Sequence, residues 1–255
     1  MKLLDKMREI YQKQYFIFKF PYNVIAMFCN PYFFARKNLY KNIKKYAAKM
    51  CGKMLDFGCG SKPYMSLFNN VEEYIGMDIE DQRHGFNEKT VDVFYDGQTI
   101  PQQDEYFDSI FSSEVYEHVP NLEHILSELN RVLKMGGYML VSVPFVWNEH
   151  GAPYDFYRFT SYGIKAKLEM CGFEVIETTK SNNFLELLGQ LWMEYIRGCY
   201  ERIRIGIIRK VIRLLLVVPV VFLGSLFSVI LPSNNTLYGD NIVLCKKVKK
   251  SRGIE

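Results

Sequence analysis

The stretch Lys53-Met54-Leu55-Asp56-Phe57-Gly58-Cys59-Gly60-Ser61 decides how the rest of the chain is interpreted. A short apolar run ends in an acidic residue, and two glycines separated by one residue follow it. Glycine has no side chain that would prevent a positive φ or a close backbone approach. The pattern therefore predicts a strand followed by a tight loop whose N–H groups face a nucleotide-like ligand.

A second apolar run, Glu73-Tyr74-Ile75-Gly76-Met77, ends at Asp78. In a doubly wound α/β sheet, a carboxylate at this position binds ribose hydroxyls. A dinucleotide-binding loop needs a third glycine for close helix–strand packing, and this chain has Ser61-Lys62-Pro63 there instead. A nicotinamide cofactor is therefore the less favoured alternative.

Further strands are predicted from short apolar runs between turn residues. The third to seventh strands are placed at residues 91–93, 107–112, 136–143, 173–178 and 241–245. Between the fourth and fifth strands, apolar residues recur at helical spacing from Leu122 to Leu133, which predicts a helix with one face against the sheet.

The order of these motifs resembles the class I S-adenosylmethionine-dependent methyltransferases. The phrases Glu114-Val115-Tyr116-Glu117-His118-Val119-Pro120 and Leu133-Lys134-Met135-Gly136-Gly137 are similar to those of the type 11 methyltransferase subgroup. The resemblance covers roughly residues 50–180. It implies an α/β fold with a doubly wound, mostly parallel seven-stranded sheet whose last strand is antiparallel, and S-adenosyl-L-methionine as cofactor.

The resemblance also implies a cofactor site. Its predicted members are Asp56, Gly58, Cys59, Gly60, Asp78, Asp92 and Glu114. Asp56 would organise the glycine loop, which approaches the amino-acid part of the cofactor, and Asp78 would hold the ribose. Asp92 is placed at the end of the third strand, where a carboxylate meets the adenine amino group. A surface turn is the alternative for Asp92 and Asp96, because Asp and Gly in Asp96-Gly97 form turns readily.

Residues 144–160, after the fifth strand, combine aromatic residues with His, Asp and Arg on a predicted loop. Loops at this edge of the sheet hold substrates. The segment resembles a His-x-x-Pro-Tyr-Asp-Phe-Tyr-Arg-Tyr-Thr phrase of type 11 enzymes from bacterial surface-glycan clusters. A small or lipid-linked acceptor, such as a sugar, is implied, with Tyr154 and Arg158 as its candidate contacts.

Methyl transfer is an in-line displacement, so the protein mainly positions the reactants and excludes water. A hydroxyl acceptor must also lose a proton, and a neutral imidazole with a pKa near ~6.5 suits that task. His150 is the first candidate base, with Asp155 as its orienting partner, and His118 is the second candidate. Asp155 and Arg158 could instead form a structural ion pair. The sequence displays no apparent metal-ligand cluster.

The 255 residues, 49% of them hydrophobic, suffice for one α/β domain with additions. The domain is placed at residues 49–183 plus 237–250, after an aromatic N-terminal helical extension over 1–48. Six cysteines without a C-x-x-C pair, and an N-terminus without a signal-peptide core, predict a cytoplasmic protein. The net charge of +4 is too small to indicate nucleic-acid binding.

Residues 184–236 are predicted to be a hydrophobic helical insertion between the sixth and seventh strands. Residues 214–231 carry no charge and follow a basic segment, and a helix of eighteen residues reaches roughly 27 Å. The methyltransferase resemblance implies that the sixth and seventh strands pair, and paired strands must stay on one side of a bilayer. A monotopic insertion bent near Pro219 or Gly224, facing the inner leaflet of the cytoplasmic membrane, is therefore expected. A buried subdomain or a homodimer interface is the alternative.

Two rival functions stay open. A nicotinamide-dependent oxidoreductase would share the first two strands, and a non-catalytic membrane-associated adaptor would keep the fold without turnover.

Overall fold

The computed structural model describes residues 30–79, 90–200 and 203–251. The chain divides into two compact units. One comprises Lys41–Lys180 together with the chain from Asp240 onwards, and the other comprises Ser181–Gly239 together with the chain up to Tyr40. The predicted helices over the aromatic residues 15–22 lie outside the described residues.

Within the described residues, seven strands form one sheet in the order β3-β2-β1-β4-β5-β7-β6. The strands are β1 Gly52–Phe57, β2 Val71–Ile79, β3 Val93–Tyr95, β4 Phe107–Ser113, β5 Leu133–Pro144, β6 Phe173–Lys180 and β7 Asp240–Lys247. Strand β7 runs antiparallel to both of its neighbours, and the β3-β2-β1-β4-β5 pairs are parallel. The predicted fold class is confirmed. The inserted antiparallel strand differs from the 3-2-1-4-5-6 order of dinucleotide-binding sheets, which argues against the nicotinamide alternative.

Helices cover this sheet and support its edge. The described helices of this unit are α2 Leu122–Val132 and α3 Ser161–Met170, and α1 Phe33–Ala47 begins in the other unit and ends in this one. Helix α2 buries the apolar residues that recur at helical spacing, including Leu126 and Leu129, in the same core as Phe107 and Ile110 of β4. The amphipathic pattern therefore forms the predicted helix, and its packing fixes the position of β4 and β5.

Two strand boundaries differ from the sequence prediction. Strand β3 begins at Val93 rather than residue 91, and β5 begins at Leu133, directly after α2, rather than at residue 136. Gly136, with φ +78°, lies in an irregular stretch of β5 where the pairing with β4 shifts. The glycine pair therefore interrupts a strand instead of leading into it, a distinction that depends on pairing with β4.

The second unit contains α4 Phe184–Tyr200 and a long helical run over Gly206–Ile230. This run consists of α5 Gly206–Ile212, a π-helical turn Arg213–Val217 and α6 Val218–Ile230. The run passes through both predicted bend positions, Pro219 and Gly224, without ending. Because Pro219 lacks an N–H, the helix loses a hydrogen bond to the preceding turn, and the irregularity appears there as the π-helical turn.

Helix α4 packs against this run through a small core. Its members are Phe33, Phe34, Met193, Ile196, Tyr200, Val217 and Val221. Most of the long run lies outside that core, since only 11% of its most apolar window is buried. The mean hydropathy of this window is 2.3. By length and composition, the run is sufficient to cross a membrane.

Candidate functional site

The glycine loop lies at the carboxyl end of β1, beside the end of β2. Gly58 has φ +71° and Gly60 has φ +51°, which is the left-handed region that favours glycine. The N–H groups of Gly58 and Cys59 donate to the carbonyl of Met77, at 2.8 and 3.1 Å. A Cβ on Gly58 would lie 2.3 Å from Cγ2 of Val115, so no side chain fits there.

The structure brings the two predicted cofactor motifs together through Asp78. The N–H of Gly60 donates to Oδ2 of Asp78 at 2.9 Å, and the N–H of Ile79 donates to Oδ1 at 2.8 Å. Asp78 is 9% exposed, at the end of β2. A carboxylate oxygen can accept more than one hydrogen bond. Asp78 can therefore hold the loop and accept from a ligand hydroxyl at the same time.

Asp56 lies below this loop, in a buried acidic environment. Its carboxylate accepts a hydrogen bond from the hydroxyl of Tyr74, which ties β1 to β2. Burial raises the pKa of the Asp56 carboxyl to about 7, and the nearby charge of Asp78 acts in the same direction. The predicted role of Asp56 in organising the loop agrees with this position.

Cys59 and Lys62 pack over the strand beside Asp56. A Cβ on Gly76 would lie 2.2 Å from Cε of Lys62 and 2.8 Å from Sγ of Cys59, so only glycine leaves room for these side chains. Burial raises the pKa of the Cys59 thiol. The thiol therefore stays protonated and packed inside, and Cys59 can contact a cofactor only through its backbone.

Asp92 does not end the third strand, and that prediction is wrong. It precedes β3, where its Oδ2 accepts from the N–H of Gly76 at 2.7 Å and from Nζ of Lys62 at 2.5 Å. Asp96 directly follows β3, at the edge where the glycine loop lies. The sequence analysis offered a surface turn for Asp96, and its Oδ1 accepts from the N–H groups of Gln98 and Thr99 at 2.8 Å each. The third strand was placed too early, before the aromatic pair Phe94-Tyr95 that completes β3.

Glu114 directly follows β4, as expected. Its backbone has φ +57°, a conformation that is rare for residues other than glycine. Its N–H donates to the carbonyl of Ser142 at 3.0 Å, and its Oε1 accepts from the Ser142 hydroxyl at 2.7 Å. These bonds to β5 hold Glu114 in place and turn the chain into the segment that carries Glu117 and His118.

The loop after β5 is organised by an ion pair between Asp155 and Arg158. The guanidinium donates to both carboxylate oxygens at 2.7 Å, and also to the carbonyls of Trp147, Asn148 and Tyr157. This pairing lowers the pKa of the Asp155 carboxyl. Because these donors bind the loop itself, the geometry favours the structural alternative over the predicted acceptor contact of Arg158. Tyr154 is 46% exposed on the same loop.

The two candidate bases lie side by side. The rings of His118 and His150 are 4.8 Å apart between centroids. Nδ1 of His150 is 3.4 Å from Oδ2 of Asp155, as the predicted orienting role requires, and 3.2 Å from the carbonyl of Asn148. Burial lowers the pKa of His118, which favours its neutral form.

Glu117 joins these histidines and was not predicted as a site residue. One carboxylate oxygen of Glu117 and one ring nitrogen of each imidazole all lie within 4.8 Å of one another. Glu117 is fully buried, and burial raises the pKa of its carboxyl to about 8. The sequence prediction of no metal-ligand cluster did not anticipate this group, because β5 separates His150 from Glu117 and His118 along the chain.

Comparisons with known proteins agree with this geometry. A family model described as a methyltransferase domain, of type 11, matches residues 55–141. A sterol 24-C-methyltransferase of Gibberella zeae is 34% identical over 97 residues, which is 33% of this chain and 26% of that protein. The chain thus spans about a quarter of that relative's length.

Two solved structures share the fold. One is a SAM-dependent methyltransferase from Archaeoglobus fulgidus, with TM-score 0.53, 21% identity and coverage of 83% of this chain and 94% of that one. The other is the [4+2]-cyclase SpnF, with TM-score 0.52, 18% identity and coverage of 84% and 81%. At these identities the likeness concerns the fold alone, and the same fold carries a cyclase.

The sheet order and the glycine loop are those of the class I methyltransferase fold. Residues 55–141 match the type 11 methyltransferase family model, in agreement with the resemblance found in the sequence. S-adenosylmethionine as cofactor is in agreement with that family.

We expect Asp56 to make stability depend on pH. Its folded pKa, about 7, lies above its unfolded pKa of about 3.9. As the pH rises between these values, the unfolded state ionises first, so wild-type stability falls and then levels off above about 7. Asp56→Asn removes this loss. Its unfolding free energy relative to wild type should rise by up to about 4 kcal/mol across the window.

Denaturant titrations from pH 4 to 8 with circular dichroism measure the difference. Asp96→Asn is the control, because the backbone N–H groups of Thr99 and Gln98 lower the Asp96 pKa and its effect has the opposite sign. A pH-independent difference between Asp56→Asn and wild type would contradict the prediction.

Proposed function

We propose that this protein is an S-adenosylmethionine-dependent methyltransferase that acts on a small or lipid-linked acceptor while bound at a membrane surface. The observation that carries the proposal is the joining of the glycine loop to the carboxylate of Asp78. A left-handed glycine loop, with Asp78 beside it as a carboxylate that can accept from hydroxyls, suits an adenosine-containing cofactor. The match to the methyltransferase family selects the methyl donor among such cofactors.

The residues present fit this cofactor. The left-handed backbone at Gly58 and Gly60 turns the loop tightly at the carboxyl end of β1, where the amino-acid end of the cofactor is proposed to lie. Asp78 is placed for the ribose, and Asp96 has the position after β3 that was expected for the adenine side. When bound, the cofactor supplies a methyl group on a cationic sulfur. The carboxylates around the loop give the cleft the negative character that suits this charge.

The acceptor is proposed to lie against the loop after β5. This loop packs on the turn after β4, since the N–H of Phe156 donates to the carbonyl of Glu117 at 2.8 Å. The exposed rings of Tyr154 and Phe156 offer surfaces on which a sugar ring can stack. His150, oriented by Asp155, is the proposed acceptor of the hydroxyl proton, and His118 lies beside it.

A sugar or lipid-linked sugar is the proposed acceptor. The resemblance of the Tyr154–Arg158 region to enzymes of surface-glycan clusters supports the sugar, and the exposed apolar helix supports a lipid-linked form. The non-catalytic adaptor is the alternative, and it predicts no cofactor affinity.

Asp78→Ala should weaken S-adenosylmethionine binding by roughly 1.5–3 kcal/mol, because it removes hydrogen bonds to a charged acceptor. Isothermal titration calorimetry measures the affinity. Asp104→Ala is a matched control, since Asp104 precedes β4 at the other end of the sheet and its side chain is 64% exposed. Equal affinities of the Asp78 variant and wild type would remove Asp78 from the site, and no binding by wild type would favour the adaptor.

The methylated product should appear in the glycan or glycolipid pool of cells that carry the gene. We expect mass spectrometry to find a component that is one methyl group heavier than in cells without the gene. Complementation with the Asp78→Ala variant should restore little of it. Identical pools with and without the wild-type gene would argue against a sugar acceptor.

The helical run Gly206–Ile230 should bind a membrane surface. Its exposed apolar side chains include Leu215, at 63%, and Val229, at 83%, and the exposed Arg204 and Arg209 precede the most apolar part. Burying such side chains in a bilayer is favourable by about 1.5–3 kcal/mol each. Nearby cations add about 1 kcal/mol each on anionic lipid.

Vesicle flotation with and without phosphatidylglycerol measures this binding. The double variant Leu215→Glu/Val229→Glu should stay largely in the soluble fraction, whereas Met170→Glu, on the sheet-covering helix α3 and 69% exposed, should float like wild type. A full-length protein that is soluble and monodisperse without detergent, and that fails to float, would refute the membrane proposal.

A further inference from the structure

We propose that Glu117, His118 and His150 form a binding site for a divalent transition-metal ion. One carboxylate oxygen and one nitrogen from each imidazole lie within 4.8 Å of one another. The three residues come from two segments, the 3₁₀ turn Tyr116–His118 after β4 and the loop after β5. The hydrogen bond from Phe156 to the carbonyl of Glu117 holds these two segments together.

The carboxylate of Glu117 is the first reason to expect a cation. The residue is 0% exposed, and neither of its side-chain oxygens has a hydrogen-bond partner among the residues that the structure describes. A buried carboxylate without partners is costly, and such groups in proteins are generally paired or coordinate a metal. The nearest cationic candidate is Nε2 of His118, 3.8 Å from Oε1 of Glu117. A metal ion between these atoms would compensate the carboxylate.

The orientation of both imidazoles is the second reason. Nδ1 of His118 lies 2.5 Å from the carbonyl oxygen of Tyr154, and Nδ1 of His150 lies 3.2 Å from the carbonyl oxygen of Asn148. A carbonyl can only accept, so each Nδ1 carries the proton and each Nε2 presents a lone pair. Metal-binding histidines in proteins are oriented by this kind of hydrogen bond from the other ring nitrogen.

Gly151 allows the His118 ring to take this place. Its φ is +66°, and a Cβ there would lie 3.2 Å from Cε1 of His118. A larger residue would push on the ring and on the loop that carries His150. The left-handed glycine therefore lets the loop backbone approach the imidazole closely.

The ligand set indicates the class of metal. Two imidazoles and one carboxylate suit Zn²⁺, Fe²⁺ or Co²⁺, whereas Mg²⁺ prefers oxygen ligands alone. Three protein ligands leave coordination positions open for water or a substrate atom. Metal–ligand distances of about 2.0–2.2 Å would draw the three side chains slightly inward from their present separation.

The open position gives the metal a role in the reaction, and this consequence rests on the proposed function. A hydroxyl bound to a divalent metal loses its proton more readily, because the metal stabilises the resulting oxyanion. The proton would pass to water, and the imidazole of His150 would then hold the metal instead of accepting the proton itself. Metal binding by the three side chains does not depend on methyl transfer.

Calorimetric titration of the full-length, chelator-treated protein with Zn²⁺, Co²⁺ and Mg²⁺ tests the site. The exposed thiols of Cys51 and Cys199 are first replaced by serine, so that they do not bind Zn²⁺. We expect one Zn²⁺ or Co²⁺ per chain and much weaker binding of Mg²⁺. The visible spectrum of bound Co²⁺ should lack the strong thiolate-to-metal absorption of a cysteine site.

Glu117→Gln, His118→Gln and His150→Gln should each weaken Zn²⁺ and Co²⁺ binding by at least about 10- to 100-fold. His124→Gln is the matched control, because His124 lies on α2 with Nε2 at 3.0 Å from the carbonyl of Gln98, outside this group. Circular dichroism verifies that each variant is folded. If Glu117→Gln unfolds the protein, the His150→Gln variant tests the site, because His150 lies on a partly exposed loop.

No Zn²⁺ or Co²⁺ binding by wild type, or equal affinity in the folded His150→Gln variant, would overturn the metal site. Methyl transfer by a protein that binds no metal would leave the proposed function intact. Metal binding by a protein that has no affinity for the methyl donor would support the metal site and contradict the proposed function. The two proposals can therefore fail separately.

Discussion

The hydrogen bond from the Gly60 N–H to the Asp78 carboxylate joins the ends of β1 and β2, and the arrangement of the cofactor edge depends on it. The bond requires a left-handed backbone at Gly60 and a nearly buried carboxylate one strand away. Below it, the Tyr74 hydroxyl holds Asp56, and Gly76 leaves space for Cys59 and Lys62. The ligand-binding edge is thus fixed before any ligand arrives, which reduces the ordering cost of binding.

The proposed acceptor edge differs from the glycine-loop edge, because its charged side chains lie on a loop without regular structure. Arg158 neutralises Asp155 and bridges several loop carbonyls, so the chain is ordered by one guanidinium. Glu117 has no such partner, although it is as deeply buried as any apolar core residue. The carboxylate of Asp155 is paired and therefore structural, whereas the unpaired carboxylate of Glu117 is a candidate metal ligand.

Errors in the sequence prediction cluster where strand pairing decides the boundary. Asp92 was placed at the end of β3, yet β3 pairs with β2 from Val93 to Tyr95, which moves Asp96 to the edge. Gly136 was expected at the start of β5 and lies inside it, because Leu133 already pairs with Phe107 of β4. The local sequence does not specify the register with a neighbouring strand, so the boundaries of β3 and β5 could not be predicted from the sequence alone.

The sequence by itself determined the fold class, the glycine loop, Asp78 and the apolar helical segment, because each depends on short-range periodicity or on the conformational freedom of glycine. Only the tertiary structure decided that Arg158 serves the loop and that Glu117, His118 and His150 meet. Those contacts join segments on either side of β5, and which side chains meet there depends on how the loop folds back over the turn after β4. The spacing of these residues along the sequence carries no information about the distances between their side chains.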